Sequence, residues 1–473
     1  MEMEENQSYG GSPIINLSQD HLFTILLFLP IDAIVSLSMT CRRLRALTCS
    51  DTLWESLCRR DWGSRCVDAL KCSSNIINNQ IEFPWMRLYK QVSVLNTVYC
   101  HRLCDPISQM DFPTPRASHS LNFVSDSLVL FGGGREGGRH VDDTWVAYIG
   151  KDFGRMLKWH KVHSGIPSGR FGHTCVEMGG FLVLFGGIND LGNRQNDTWV
   201  GQITHCNNNV ITFSWRLLDV GAMAPTPRGA HAAGSIDNKR MVIHGGIGLL
   251  GLRLGDTWVL ELSEDTDHNL LTGTWHEVRT HQSPPARSGH TLTCIGRNRT
   301  IIFGGRGTGY EVLDDLWLLD LDTHTWLQIV YDIPRNMPEG VSLGRVGHSA
   351  TMVLGGRLLI HGGEDSQRHR KDDFWVVDVS AINPYTSTKS TTVQASSSST
   401  SRVRSNSKRM IWKLWRSNGY KAKCRSFHRA CADQSGRYVY VFGGMVDGVL
   451  QPTEAAGLRF DGELFLVELL LHL

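Results

Sequence analysis

An Arg-x-x-His pattern recurs six times along the chain, at Arg116/His119, Arg170/His173, Arg228/His231, Arg287/His290, Arg345/His348 and Arg425/His428. Each copy leads into an apolar run that ends on two adjacent glycines: Gly132-Gly133, Gly186-Gly187, Gly245-Gly246, Gly304-Gly305, Gly362-Gly363 and Gly443-Gly444. In the first five copies an Asp-x-Trp follows, at Asp143/Trp145, Asp197/Trp199, Asp256/Trp258, Asp315/Trp317 and Asp373/Trp375. A further tryptophan closes most units, at Trp159, Trp215, Trp275, Trp326 and Trp412. A repeat of about 50 residues with four apolar strand segments cannot bury its faces alone, so copies must stack into an array. Glycine contributes 48 residues and proline only 15, which points to tight turns between strands rather than to a disordered Pro/Gly-rich polymer. Paired glycines allow positive φ and close approach of neighbouring sheets, while the tryptophans bury flat surface between them.

The chain divides at about residue 95. Residues 14–62 carry helical periodicity and little glycine. A first helix begins after Leu17, with Ser18 as cap and Asp20 in the first turn, and Pro30 ends it. Leu22, Ile25, Leu26 and Leu29 form one stripe, but Phe23, Leu27 and Phe28 make the helix apolar nearly all round. A second helix is expected from near Asp32 through Ile34, Leu37, Ser38, Cys41 and Leu44, and a third after Ser50 with Leu53, Trp54, Leu57 and Cys58. Three short helices cannot hide this much apolar surface, and the surplus marks a protein partner. Residues 63–95, with Pro84 to Tyr89, read as a packed helical linker, and residues 1–13 as a disordered polar start.

The order and spacing of Leu17, Asp20, Leu22, Ile25 to Leu29, Pro30, Ile34, Leu37, Ser38, Cys41, Arg42, Leu53, Trp54, Leu57 and Cys58 resemble an F-box. Two positions depart from that family's pattern: Ser18 where proline usually follows the leading leucine, and Leu44 where tryptophan often stands. The resemblance implies docking onto the Skp-type adaptor of a Skp-cullin-F-box ubiquitin ligase, and through it a cullin and a RING subunit. It places Leu17, Leu22, Pro30, Ile34, Leu37 and Leu44 at or beside that interface. The repeats match the blades of a kelch-type β-propeller. From about residue 96 the chain resembles the kelch half of plant F-box/kelch proteins, including the Zeitlupe type, and no light-sensing segment is read ahead of the F-box. The expected fold is therefore mostly β: a six-bladed kelch β-propeller over 96–473, preceded by a small all-α F-box domain. The implied role is a non-catalytic substrate receptor whose propeller binds the protein to be ubiquitinated, with an F-box scaffold outside any ligase as the alternative.

The sixth copy is incomplete, since Phe465 takes the tryptophan place and the sequence stops before a fourth strand. An open edge is avoided in folded proteins, so residues 96–104, with Val98, Tyr99 and Leu103, are expected to supply that strand. Arg116, Arg170, Arg228, Arg287, Arg345 and Arg425 would form a ring around one channel mouth, unless the repeated aspartates satisfy them between strands. Residues that differ between copies carry specificity more readily than those that repeat. The candidate substrate contacts are Arg135, Arg139, Arg194, Arg253, Arg306, Tyr310, Arg368 and Arg370 in the loops after the double glycines, and these arginines favour an acidic or phosphorylated degron.

A net charge of +2 creates no whole-molecule pull toward nucleic acid or an anionic membrane. The longest apolar runs, Leu22 to Leu29 and Leu464 to Leu471, are too short to cross a bilayer. Twelve cysteines lack pairing rhythm, which suits a reducing nucleus or cytoplasm. Cys100 and Cys104 have no second pair at zinc spacing, so neither metal nor cofactor is expected. Thr386 to Met410, rich in Ser and Thr and ending in Arg402, Arg404, Lys408 and Arg409, reads as a solvated loop open to phosphorylation or nuclear import.

Overall fold

A computed structural model describes residues 17–74, 84–103, 112–149, 157–163, 165–206, 210–265, 270–331, 342–382, 402–404, 411–448 and 457–471. The chain forms two compact units, residues 1–95 with 471–473, and residues 96–470.

In the first unit, α1 (Gln19–Phe28) is capped by Ser18, whose Oγ accepts from the His21 N–H at 3.3 Å. Pro30 separates it from α2 (Ile31–Ser38) because proline disfavours helical geometry in the residue before it. The second helix expected to run through Leu44 is in fact two. It stops at Ser38, and Cys41, extended at φ −151°, caps α3 (Arg42–Thr48) by accepting from the Leu44 N–H through Sγ at 3.5 Å. Ser50 caps α4 (Asp51–Trp62), and α5 (Ser64–Ser74) and α6 (Trp85–Val94) follow. Tyr89 of α6 stacks on Trp62 of α4 at 5.3 Å and donates to Asp61 at 2.8 Å. α6 is thus part of the helical unit's own packing. Leu22, Leu26, Ile34, Leu44, Leu53, Leu57, Val67 and Leu88 form the buried interior.

The second unit is a β-propeller. Its first sheet runs up and down through Ser120–Val124, Ser127–Phe131, Thr144–Tyr148 and Trp159–His163. The strands Thr174–Met178, Ala232–Ile236, Thr291–Gly296, Ser349–Val353 and Arg429–Ala432 begin equivalent antiparallel meanders. Each begins just after an Arg-x-x-His. The closing tryptophan of one copy packs on the aromatic residue ahead of the double glycine in the copy before it. Trp215 lies 5.4 Å from Phe131, Trp275 4.9 Å from Phe185, Trp326 5.6 Å from His244 and Trp412 4.9 Å from Phe303. Trp159 of the first copy meets Phe442 of the last at 6.3 Å.

The strand Thr97–Arg102 pairs antiparallel with Leu464–Glu468 and parallel with Trp412–Gly419. It is the fourth strand of the last meander and links that meander to its neighbour in one eight-stranded sheet. Val98 and Cys100 are 0 % and 2 % exposed there.

The double glycine is the seam between copies. Its second N–H donates to the carbonyl of the next copy's motif arginine: Gly133 to Arg170 at 2.9 Å, Gly187 to Arg228 at 2.9 Å, Gly363 to Arg425 at 2.8 Å, and Gly444 back to Arg116 at 2.9 Å. A Cβ on Gly443, at φ +69°, would sit 2.6 Å from the Arg116 oxygen, so only glycine fits.

A second closed circuit runs through the residue before each motif histidine. Gly172 N donates to Ser118 O, Ala230 to Gly172, Gly289 to Ala230, Gly347 to Gly289, Phe427 to Gly347, and Ser118 to Phe427, at 2.6–2.9 Å. All six of these residues are left-handed, with φ between 54° and 68°.

Most of the Ser/Thr-rich stretch lies outside the described residues. Arg402–Arg404 within it, expected as loop, is a short strand parallel to Thr325–Val330. Thr325–Val330 ends its meander, and Arg402–Arg404 covers the edge of its last three residues.

Candidate adaptor- and substrate-binding surfaces

The motif arginines are 0–1 % exposed. In the first five copies each guanidinium donates through Nη1 and Nη2 to the repeated aspartate, with closest approaches of 2.6 Å at Asp143, 2.6 Å at Asp197, 2.8 Å at Asp256, 2.6 Å at Asp315 and 2.8 Å at Asp373. Nη1 also donates to the first glycine of the copy's own pair, as Arg287 does to the Gly304 carbonyl at 3.1 Å, and Nε to a carbonyl two residues back, Pro285 at 3.0 Å. The Asp-x-Trp spacing has its own reason: the indole N–H donates to the same carboxylate at 2.7–2.8 Å, as from Trp317 to Asp315. Burial opposes ionisation of Asp143, Asp256 and Asp373, but the guanidinium beside each outweighs it and holds the carboxyl below its usual range. In the last copy Arg425 pairs instead with Glu463 at 2.8 Å and Asp461 at 3.2 Å, and lies over the Phe465 ring at 4.9 Å. With their donors spent inside the sheets, these arginines do not present a charged ring to a ligand.

Arg429 is a different case, which comparison of the copies could have revealed. It stands where the others carry Ser120, Thr174, Ala232, Thr291 and Ser349. Its Nε donates to the His119 carbonyl at 2.8 Å, and it acts on His119, His173, His231, His348 and His428 together. No carboxylate among the described residues pairs with it, and burial lowers its pKa to about 10.

The loops after the double glycines carry the varied residues. Arg253 stacks on Tyr310 at 4.4 Å and donates to Ser288 at 3.2 Å. Arg306 pairs with Glu364 at 3.1 Å, and Arg370 binds Asp447 and donates to Ser426 at 3.2 Å. Arg194 is half-buried, its Nη1 donating to the Gly192 carbonyl at 3.0 Å. Arg135 is half-buried, while Arg139 and Arg368 are exposed and Tyr310 is 71 % exposed. Tyr310, Arg306, Arg368, Glu311 and Ser366 meet around one cleft of about 460 Å³. A second, apolar hollow of about 240 Å³ is lined by Phe171, Phe427, Met445 and Phe460 together with Arg135 and His140. The structure thus brings Arg306, Tyr310 and Arg368 together, sets Arg135 apart from them, and ties Arg253, Arg306 and Arg370 into internal pairs.

On the helical unit the residues expected at or beside the adaptor interface divide by burial. Leu22, Ile34 and Leu44 are buried in the unit's own interior, so they support the surface rather than form it. Leu17 and Leu37 are half-buried and Pro30 is exposed. The large apolar side chains facing solvent here are Ile25 at 44 % and Phe28 at 85 % on α1, Val35 at 48 % on α2, and Met39 at 84 % just past the end of α2. A repeating all-round apolar pattern hides which side a helix turns outward, which is why spacing did not single out these exposed side chains.

Burial pushes up the thiols of Cys58, Cys175, Cys294 and Cys431, and that of Cys100 to about 12, so these five are not thiolates near neutral pH. Among the described residues no group of three or more His, Cys, Asp or Glu side chains is placed to hold a metal. Cys104 lies outside the described residues.

Two family models match the chain: F-box-like over residues 19–60, and the KLHDC2/KLHL20/DRC7 Kelch-repeats domain over 87–270 and 205–340. An F-box/kelch-repeat protein of Arabidopsis thaliana is 57 % identical over 98 % of this chain and 94 % of its own length. Adagio protein 3 of Arabidopsis thaliana is 28 % identical over 80 % of this chain, which spans 58 % of that relative. Host cell factor of Drosophila melanogaster is 28 % identical over 61 % of this chain and 20 % of its own length. With a helical F-box region ahead of a kelch propeller and near full-length similarity to such a protein, this chain belongs to the F-box/kelch-repeat family.

Proposed function

We propose that this chain is the substrate-recognition subunit of a Skp-cullin-F-box ubiquitin ligase and is itself non-catalytic. The helical unit binds a Skp-type adaptor, which brings the cullin and RING subunit, and the propeller holds the protein to be ubiquitinated. The observation that carries the reading is the solvent-facing apolar set of Ile25 and Phe28 on α1, Val35 on α2 and Met39 at the end of α2, together with the exposed Pro30. Apolar surface left open on so small a unit is suited to a protein partner. In this reading the propeller has six blades, supported by six motif copies and by the two hydrogen-bond circuits that return from the last copy to the first. Its scaffold arginines are consumed internally, which leaves the loops beyond the double glycines as the substrate face.

The test uses Phe28→Glu together with Met39→Glu. Both side chains are exposed, so the thermal unfolding midpoint should hold while co-purification with adaptor and cullin is lost. Undiminished cullin recovery with the double variant would end the ligase reading.

A further inference from the structure

Five of the loops on the proposed substrate face are the same hairpin. In each, an N–H donates to a carbonyl four residues on: Arg135 to Arg139 at 3.0 Å, Asn189 to Asn193 at 3.0 Å, Gly248 to Leu252 at 2.8 Å, Gly307 to Glu311 at 2.9 Å and Asp365 to His369 at 3.1 Å. The residue just before the accepting one is left-handed in all five. It is Gly138 at φ 72°, Gly192 at 77° and Gly251 at 77°, but Tyr310 at 65° and Arg368 at 64°. Glycine takes this conformation without steric cost, and tyrosine and arginine do not. Burial does not repay the cost, because Tyr310 is 71 % exposed and Arg368 is exposed. Strain held at an exposed side chain motivates a search for what that side chain does.

The two exceptions line the same cleft, the one of about 460 Å³ between the fourth and fifth hairpins. Arg253 over the Tyr310 ring at 4.4 Å holds the aromatic in place, and Glu364 at 3.1 Å holds Arg306 in the wall. The Glu311 carboxylate folds back over Gly307 and Gly309, where a Cβ would strike it. Arg368 makes no ion pair among the described residues. Leu250, one position earlier in its hairpin, is also left-handed at φ 60°, but it is not among the residues lining the cleft.

We infer that this cleft binds an anionic side chain of the protein substrate, with Arg368 as its charge partner and Tyr310 as its aromatic wall and hydroxyl donor. The inference rests on the receptor reading above and narrows it to a substrate class. An arginine fork recognises carboxylate and phosphoryl oxygens alike, so both sources share the chemistry.

The probe is three pools of short peptides with randomised flanks around a central aspartate, phosphoserine or asparagine, offered to the full chain bound to its adaptor. One of the two anionic pools should be captured about tenfold above the asparagine pool, and which one identifies the source. Tyr310→Gly and Arg368→Gly restore the residue used by the other three hairpins. Each should lower that capture by about tenfold or more while the unfolding midpoint holds or rises. A fall in midpoint would assign the two side chains to the fold and overturn the inference. So would equal capture of all pools, no capture of any pool, or glycine variants that capture like wild type. The paired variant Arg135→Ala with Arg139→Ala separates the two readings. If it abolishes capture and the glycine variants do not, the cleft fails and the substrate face stands; if neither set matters, both fall.

Discussion

Arg287 illustrates how single residues serve this propeller. Its guanidinium is fully buried, gripped by Asp315 and held by backbone carbonyls, and Trp317 donates to the same carboxylate. A buried charge tolerates loss of its partner badly, so Asp315→Ala should cost about 3–5 kcal/mol in denaturant unfolding. Replacing both partners by apolar residues, Arg287→Met with Asp315→Leu, should cost less than the single change, because no uncompensated charge is left. A double variant weaker than Asp315→Ala would contradict this account of the pair. The motif spacing marked the repeated arginine and aspartate and left their pairing as one of two alternatives, and it gave no sign of the indole N–H that completes the group. On the helical unit, spacing identified the apolar residues and not their direction, since Leu22 and Phe28 look alike in sequence yet lie 4 % and 85 % exposed.

The element that closes the propeller is the strand Thr97–Arg102, which is separated from its partner Leu464–Glu468 by nearly the whole domain. It covers the edge that the last meander would otherwise expose. Val98 is fully buried on it, so Val98→Asp should lower stability by about 3 kcal/mol or more, through an unpaired buried carboxylate. Chemical denaturation of the full chain measures this, and a shift below about 1 kcal/mol would mean the strand is not integral to the sheet. The missing strand was legible because the last repeat falls one short. The break between α2 and α3 was not, because a half-turn at Met39 to Cys41 interrupts neither the apolar pattern nor its charges.

For the molecule as a whole, burial dominates the titration of the propeller histidines. It pushes His244 to about 3 and His361 to about 4, and drives His119, His173, His231, His290, His348 and His428 well below the usual imidazole value of about 6.5, with nearby arginines adding to most of these shifts. Below about 6.5 the unfolded chain therefore binds more protons than the folded one. Stability is complete above that pH and falls as acid is added, by up to about 1.4 kcal/mol per pH unit for each histidine. The unfolding midpoint should drop steeply between about pH 6.5 and 5, ahead of Asp143, Asp256 and Asp373, whose depressed values act only in stronger acid. A flat profile over that interval would mean the histidines are not buried neutral.

The repeats, the incomplete last copy and the helical start could all be read from residue order, because each reflects a local rule of turn geometry, periodicity or spacing. What those rules left open depends on long-range contact. Whether Arg116 faces a ligand or Asp143, whether Leu22 or Phe28 meets solvent, and which two hairpins share a cleft are settled by neighbours distant in sequence. The closed circuit through Ser118, Gly172, Ala230, Gly289, Gly347 and Phe427 is the clearest instance. Three of its members are not glycine, so no composition rule marks them, and the left-handed backbone they share follows from closing a ring of hydrogen bonds that no one repeat can make alone.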